Sequence, residues 1–375
     1  MLNLEATIAE PPPREAVGLW SSTDATSLSS LHQLAPYIGK LKPAIARYLV
    51  DEYTAPGDLV ADPFCGSGTI PLEAAIAGRS VFASDDNPYA FVLTNAKLMH
   101  PASAEEAIES LGEVIARAAL RKVDLRSVPG WVKAFFHPET LRDAIQLADE
   151  CLESSNWFIL ACLLGILHHQ RPGFLSYPSS HLVPYLRERK FPRSHFPELY
   201  AQREVGPRLV AKIERTYKHF NKLPSLKAKV VQRSLNEVRL PASVNSIITS
   251  PPYMNALDYR RDNRLRLWFI DRTTTNYSPE PTDRASNLRA MIARLVHHVD
   301  RSLANRGHLV LVVGETVVRK RATSHPSALF CQAISSRSNM KLVDALRDDI
   351  PDIRRSRRDC RGTKSEHILV FQKSG

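Results

Sequence analysis

The 375-residue chain contains no CxxC pair. Its five cysteines, Cys65, Cys151, Cys162, Cys331 and Cys360, are odd in number and scattered, which argues against a disulfide framework or a zinc ribbon and fits reduced thiols. Long apolar runs are missing too: the longest, Trp157 to Leu167, is too short to span a bilayer. The opening MLNLEATIAEPPPREAVG has no basic stretch followed by an apolar one, so no secretory signal and a cytoplasmic location are expected. No internal repeat occurs, and no metal-ligand spacing is evident; His168-His169 reads as a pair at a helix end. Acidic residues are in deficit, with 39 Asp and Glu against 50 Lys and Arg, a formal net charge of +11. That excess suits a polyanionic partner, because neutralising phosphates releases condensed counterions, although a basic soluble protein would share it. Hydrophobic residues at 43% and charged residues at 24% exclude wholesale disorder and supply more core than one small domain needs.

Residues 1–30 are polar, with Pro11-Pro12-Pro13 and a Ser/Thr-rich stretch, and are expected to form a mobile or loosely docked N-terminal arm. Pro43 to Tyr53 has helical spacing, with Ile45, Leu49 and Val50 on one side. After the turn Pro56-Gly57-Asp58, Leu59-Val60-Ala61 reads as a short buried strand ending at Asp62. Ile70 to Ala77 is then a helix stopped by Gly78, Ser80 to Ala83 a strand, and Ala90 to Met99 a second helix. This order opens a doubly wound α/β sheet. Residues 101–224 change texture, with helical periodicity over 104–121 and 138–168 and a polar loop at 171–196. Strands return at Lys229 to Gln232, Ser246 to Thr249, Gly307 to Val313 and Glu366 to Gln372. The expected architecture is a Rossmann-like catalytic domain over 31–100 and 225–375, split by a mostly helical insertion at 101–224 that could carry target recognition.

Between the first strand and its helix lies Asp62-Pro63-Phe64-Cys65-Gly66-Ser67-Gly68-Thr69. Gly66 and Gly68 permit positive φ and close approach of a ligand to the backbone. The helix behind them offers unpaired N–H groups and a positive dipole end. The lysine of a phosphate-binding P-loop is missing, which disfavours nucleoside triphosphates. About twenty residues on, the second strand ends in Ser84-Asp85-Asp86-Asn87, where a carboxylate can accept from ribose hydroxyls. Asp86 or Asn87 could equally cap the helix beginning near Pro88.

The strand Ser246 to Thr249 runs into Ser250-Pro251-Pro252-Tyr253. Two consecutive prolines have fixed φ and no N–H, so they aim their carbonyls rigidly beyond the strand end. Ser250 adds a hydroxyl acceptor and Tyr253 an aromatic face. An amino group on a planar base needs acceptors for its hydrogens and a ring to stack on. A proline-rich turn alone would carry the same letters, but not downstream of the glycine motif in one sheet.

DPFCGSGT together with TSPPY resembles the amino-methylating DNA methyltransferases, which modify cytosine N4 or adenine N6. The resemblance extends to His32–Pro43, HQLAPYIGKLKP, where Tyr37, Lys40 and Pro43 match a family segment that helps hold the methionine part of the cofactor; Ala35 and Gly39 depart from it. It implies S-adenosylmethionine as cofactor, surrounded by Asp62, Phe64, Gly66 and Gly68 within the turn from Asp62 to Thr69. Asp85 or Asp86 would bind ribose, with Asn87 beside them. Asn236, after the next strand, would lie near the adenine, although the usual aspartate is missing there. Ser250, Pro251, Pro252 and Tyr253 would form the catalytic tetrad. The serine favours cytosine N4 over adenine N6, and double-stranded DNA as partner, with a cognate restriction endonuclease as a companion. An RNA base methyltransferase of the same fold, and an inactive DNA-binding relative, remain alternatives. Carbon-5 methylation would need a nucleophilic thiolate, and no Pro-Cys pair is present; Cys65 and Cys331 read as packing residues.

Basic residues outside the two motifs fall in three groups. Arg187, Arg189 and Lys190 lie in the polar loop, a candidate for target recognition. Arg260 and Arg261, with Arg264 and Arg266 beyond them, suit either a strand-gripping loop or a helix face leading to Leu265, Leu267 and Trp268. Arg354, Arg355, Arg357 and Arg358 form a dense run suited to phosphate contact or to a solvated loop.

Overall fold

The computed structural model describes residues 14–16, 18, 28–181, 183–220, 222–224, 227–252, 259–273, 284–314, 326–336, 339–349 and 365–375. Among these the chain begins with β1 (Arg14–Glu15), α1 (Pro43–Tyr53), β2 (Leu59–Asp62), α2 (Thr69–Ile76), β3 (Ser80–Asp85) and α3 (Pro88–Leu98). Helices follow: α4 (Ala104–Ala118), α5 (Gly130–Lys133), α6 (Pro138–Glu153), α7 (Trp157–Ile166) and α8 (Val205–Tyr217). The sheet resumes with β4 (Ala228–Gln232) and β5 (Val244–Thr249), then α9 (Tyr259–Asp262), α10 (Arg264–Ile270) and α11 (Arg284–Ser302). β6 (Leu303–Gly314), α12 (Pro326–Ser335), β7 (Met340–Asp349) and β8 (Ser365–Lys373) complete it.

Local chemistry accounts for the first elements. Pro43 opens α1 at its first position, where a missing N–H costs nothing, and the helix buries Ile45, Ala46, Leu49 and Val50. β2 is buried along most of its length, as a strand covered on both faces must be. The stretch with helical periodicity over 138–168 folds as two helices: Ser155 has φ +53, and Asn156 starts α7 by accepting from the Ile159 amide. Part of the N-terminal arm is docked rather than loose. Arg14 and Glu15 pair in parallel with β7, Arg14 bonds Asp344, and Ala16 is buried.

The strand order is β1-β7-β8-β6-β5-β2-β3-β4. β8 runs antiparallel to β6 and β7, and the other pairings are parallel. The chain moves outward from β2 through β3 to β4, then returns to the other side of β2 at β5. The order therefore reverses between β2 and β5, and in such sheets ligands bind beyond the carboxyl ends of the strands at that point. Both sequence motifs lie there: β2 ends at Asp62 and β5 at Thr249, just before Ser250.

One apolar cluster holds α1, α2 and one side of the central strands, and a second holds α11, α12 and the other side. A third joins α3 to the helices inserted after it, from Leu72, Tyr89 and Leu93 through Leu111, Leu147 and Leu163 to Leu209 and Phe269. The inserted helices thus share a core with α3. Gly165 lets α7 approach closest, since a Cβ there would stand 2.4 Å from the Leu34 carbonyl oxygen.

Candidate active site at the sheet reversal

Gly68 precedes α2 in the left-handed region (φ +71), and Gly66 has φ +49. The turn is held from several sides. The Cys65 amide donates to the Ser84 carbonyl and the Gly68 amide to Cys65 O. Asp85 accepts from the amides of Gly66 and Asn87, both at 2.9 Å, so its carboxylate links the glycine turn to the next strand end. Lys97, buried in α3, donates to the Ser67 carbonyl at 2.5 Å. Ser67 and Thr69 hydroxyls lie 3.1 Å apart.

Across the reversal, the Thr249 hydroxyl donates to Asp62 Oδ1 at 2.6 Å, and the Phe64 amide donates to the same oxygen at 3.2 Å. This bond ties the end of the cofactor strand to the strand that delivers Ser250, Pro251 and Pro252. Ser250 Oγ donates to the Val312 carbonyl on β6 at 3.3 Å. Pro251 is buried and Pro252 exposed. Tyr253, the fourth tetrad position, lies outside the described residues, as do Arg354, Arg355, Arg357 and Arg358.

The segment before α1 reaches the turn through Tyr37. A Cβ on Gly66 would meet the Tyr37 ring at 3.6 Å, and Tyr37 stacks on Tyr89 with centroids 5.8 Å apart. Tyr89 donates to the Pro36 carbonyl at 2.7 Å. Lys40 is directed elsewhere, donating to the His32 carbonyl at 2.7 Å, and Pro43 serves as a helix start. Asn87 is the N-cap of α3, its Oδ1 accepting from the Tyr89 amide at 3.0 Å. Cys65 is a packing residue that accepts from the Thr94 hydroxyl at 3.4 Å. Asn236 is exposed in the turn after β4, where its carbonyl accepts from Arg294.

Burial sets the charge states. Asp62 is enclosed, and desolvation pushes its carboxyl up to about 7 against the Thr249 and Phe64 bonds. Desolvation also raises Asp85 to about 7, against its two backbone amides. Lys97 is lowered by burial and by Lys40, which is itself lowered by burial. Behind the turn, His32 and Arg47 both meet Glu73 of α2, at 2.5 and 2.9 Å. Desolvation lowers His32 to about 4, so it is neutral at pH 7.

Of the distal basic residues, Arg189, Lys190, Arg260 and Arg261 are exposed, and Arg187 is partly so, donating to Gln170. Arg266 is buried: its Nε donates to the Leu164 carbonyl, and its guanidinium lies 5.7 Å from the Tyr89 ring centre. It braces the core, whereas alternating letters had left it open to a surface role. Among the described residues no His, Cys, Asp and Glu group could hold a metal, and no helix is long and apolar enough to cross a membrane. His168 and His169 follow the end of α7, and His168 Nδ1 bonds the Ser180 carbonyl.

Residues 34–126 match the family model described as UPF0020: RMKL-like, methyltransferase domain. That span contains Tyr37, the glycine turn and the acidic end of β3. The type II methyltransferase M.MjaII of Methanocaldococcus jannaschii is 31% identical over 68 residues, 18% of this chain and 13% of that one. The chain thus spans about an eighth of the length of the curated relative it matches. Among solved structures, the rRNA methyltransferase aviRa of Streptomyces viridochromogenes covers 95% of this chain and 96% of its own, at 10% identity and a TM-score of 0.37. A SAM-dependent methyltransferase of Methanosarcina mazei covers 89% and 99%, at 11% identity and 0.36. The matched domain and the strand order make this a Rossmann-like methyltransferase fold, whose cofactor is S-adenosylmethionine. The left-handed glycine cradle between Asp62 and Thr69, with two carboxylates at its edges, fits that ligand.

Cofactor affinity is expected to rise with pH up to about 7 and then level off. In the free protein Asp62 and Asp85 keep their protons up to about pH 7. A cationic sulfonium and ribose hydroxyl donors favour the ionised carboxylates, so binding below pH 7 expels protons. Calorimetric titration at pH 6 in two buffers of different ionisation heat reads that release directly. Binding without proton release at pH 6 would put both carboxylates outside the cofactor's reach.

Proposed function

We propose that the chain transfers a methyl group from S-adenosylmethionine to the exocyclic amino group of a base in double-stranded DNA, with cytosine N4 as the acceptor. The observation that carries this reading is the Thr249–Asp62 hydrogen bond at 2.6 Å. It places the Ser250-Pro251-Pro252 strand end directly beside the cofactor strand end. The positive charge and the type II methyltransferase relative support a nucleic-acid substrate. A companion restriction endonuclease and a cytoplasmic location belong to the same proposal.

When bound, S-adenosylmethionine supplies an electrophilic methyl carbon on a sulfonium. The chain's own residues do the rest by positioning. A base inside a duplex cannot reach the site and must be flipped out. Ser250 Oγ, its hydrogen directed to the Val312 carbonyl, meets an amino group as an acceptor. The Pro251 carbonyl supplies a second acceptor on a rigid backbone. Two accepted hydrogens favour a pyramidal nitrogen with its lone pair directed at the methyl carbon, and such orientation supplies most of the rate. Cys65 is buried in the cofactor turn with its thiol pushed up by desolvation, so no covalent adduct is assigned to it.

The deciding experiment incubates the protein with radiolabelled S-adenosylmethionine and unmethylated duplex DNA, and in parallel with bulk tRNA and rRNA, then identifies labelled nucleosides by mass spectrometry. N4-methylcytosine in DNA is the expected product. N6-methyladenine would overturn the base, and label confined to RNA would overturn the substrate.

A further inference from the structure

Three stretches far apart in sequence meet on one surface. Trp131 lies on α5, Tyr185 in the loop before α8, and Arg264 at the start of α10. Arg264 joins them: its guanidinium lies over the Trp131 ring at 5.1 Å and donates to the Pro184 carbonyl at 3.2 Å. Arg187 lies 5.9 Å from the Tyr185 ring centre and is steadied by its bond to Gln170. The loop is itself fixed, because the Ser180 amide donates to the Tyr185 carbonyl and the Tyr177 amide to Phe135, just after α5.

Both rings are wet, Trp131 at 38% and Tyr185 at 51% exposure. A single exposed aromatic needs no explanation. Two of them, each paired with an arginine and held by hydrogen bonds on separate elements, make a surface that water alone does not favour. Arg189 and Lys190 extend it on the loop, with Glu188 as the acidic neighbour, and Arg260 and Arg261 are exposed on α9, which precedes α10. Aromatic faces interleaved with guanidinium groups suit unstacked bases and the phosphates between them, since every base has a π-face and every linkage a charge.

We propose that Trp131, Tyr185, Arg187 and Arg264 form a platform that grips unpaired nucleotides of the substrate strand. This rests on the nucleic-acid reading above. The test uses the full chain and fluorescein-labelled oligo(dT) of about ten nucleotides across a salt series. Trp131→Ala and Tyr185→Ala are each expected to weaken binding about tenfold with the salt slope unchanged, because stacking releases few counterions. Arg187→Ala should flatten the slope by about 0.7, the value for one phosphate on a single strand. Trp131→Phe should restore most of the binding, and cofactor affinity should stay at the wild-type value in every variant. An oligo(U) arm separates the sources: tighter dT binding assigns the platform to DNA, and tighter U binding to RNA. Wild-type binding by both alanine variants, with cofactor affinity intact, overturns the platform. Failure of the methylation reading looks different: the wild-type protein would grip the oligonucleotide yet label no nucleic acid.

Discussion

Replacing Gly68 with alanine is expected to lower S-adenosylmethionine affinity at least about 100-fold and to destabilise the fold by about 2–5 kcal/mol. Two costs combine. The residue sits at φ +71, where an L side chain pays about 1–2 kcal/mol. A Cβ would also stand 2.7 Å from Thr94 Oγ1 and 3.0 Å from Thr94 Cα, so α3 would have to move. Overpacking of that kind costs about 1–3 kcal/mol. Moving α3 also shifts Lys97 and Asn87, whose bonds to the Ser67 carbonyl and to Asp85 help anchor the turn. Two other glycines separate the causes. Gly78 has φ +81 with nothing within 4 Å of a built Cβ, so Gly78→Ala should cost about 1 kcal/mol and leave affinity unchanged. Gly66→Ala meets only ordinary contact with Tyr37 and should fall between. Chemical denaturation and equilibrium cofactor titration of the three variants read both quantities. Equal losses for Gly68→Ala and Gly78→Ala would mean that the close approach to Thr94 has no bearing on the cofactor site.

What could be read from letters alone divides along a physical line. The glycine turn, the Pro43 helix start and strands β2, β3 and β5 were legible, because each is decided by local chemistry within a few residues. β7 was not: MKLVDALRDD spaces Lys341, Asp344 and Arg347 three apart instead of alternating, and its strand state comes from pairing with β8 and β1. α11 and α12 likewise take their places by packing on the sheet. At the site, Ser250, Pro251 and Asp62 were legible as types, but the bond that joins their strands depends on the β2–β5 register and on Thr249, an unremarkable strand threonine. Lys97 was hidden for the opposite reason. It is the one charged residue of its helix, where a lone lysine reads as surface, yet its ammonium reaches the Ser67 carbonyl. Arg266 repeats the point among four closely spaced arginines. Only contact with Tyr89 and Leu164 distinguishes the buried one. Of the two capping candidates Asp86 and Asn87, the structure assigns the cap to Asn87, whose Oδ1 accepts from Tyr89.

Ser250→Ala is expected to reduce kcat about 100- to 1,000-fold while leaving cofactor affinity within about twofold of wild type, the loss typical of removing one preorganised hydrogen-bonding group. The serine donates to the Val312 carbonyl of β6, on the side of β5 away from β2 and the glycine turn, so its loss should be felt by the acceptor base more than by the cofactor. Tyr253→Ala, at a position known from sequence only, should behave alike by removing the stacking face. Thr249→Val supplies the contrast. It breaks the bond to Asp62 and leaves a buried carboxylate with one backbone donor. Asp62 then ionises less readily, and cofactor affinity and transfer should fall together. Steady-state kinetics with direct cofactor titration distinguish the signatures, since loss of kcat at constant cofactor affinity marks a group used in the transition state. If Ser250→Ala lost cofactor binding as heavily as Thr249→Val, the strand end at Ser250 would belong to the cofactor pocket, and the acceptor amino group would have to be held by other residues.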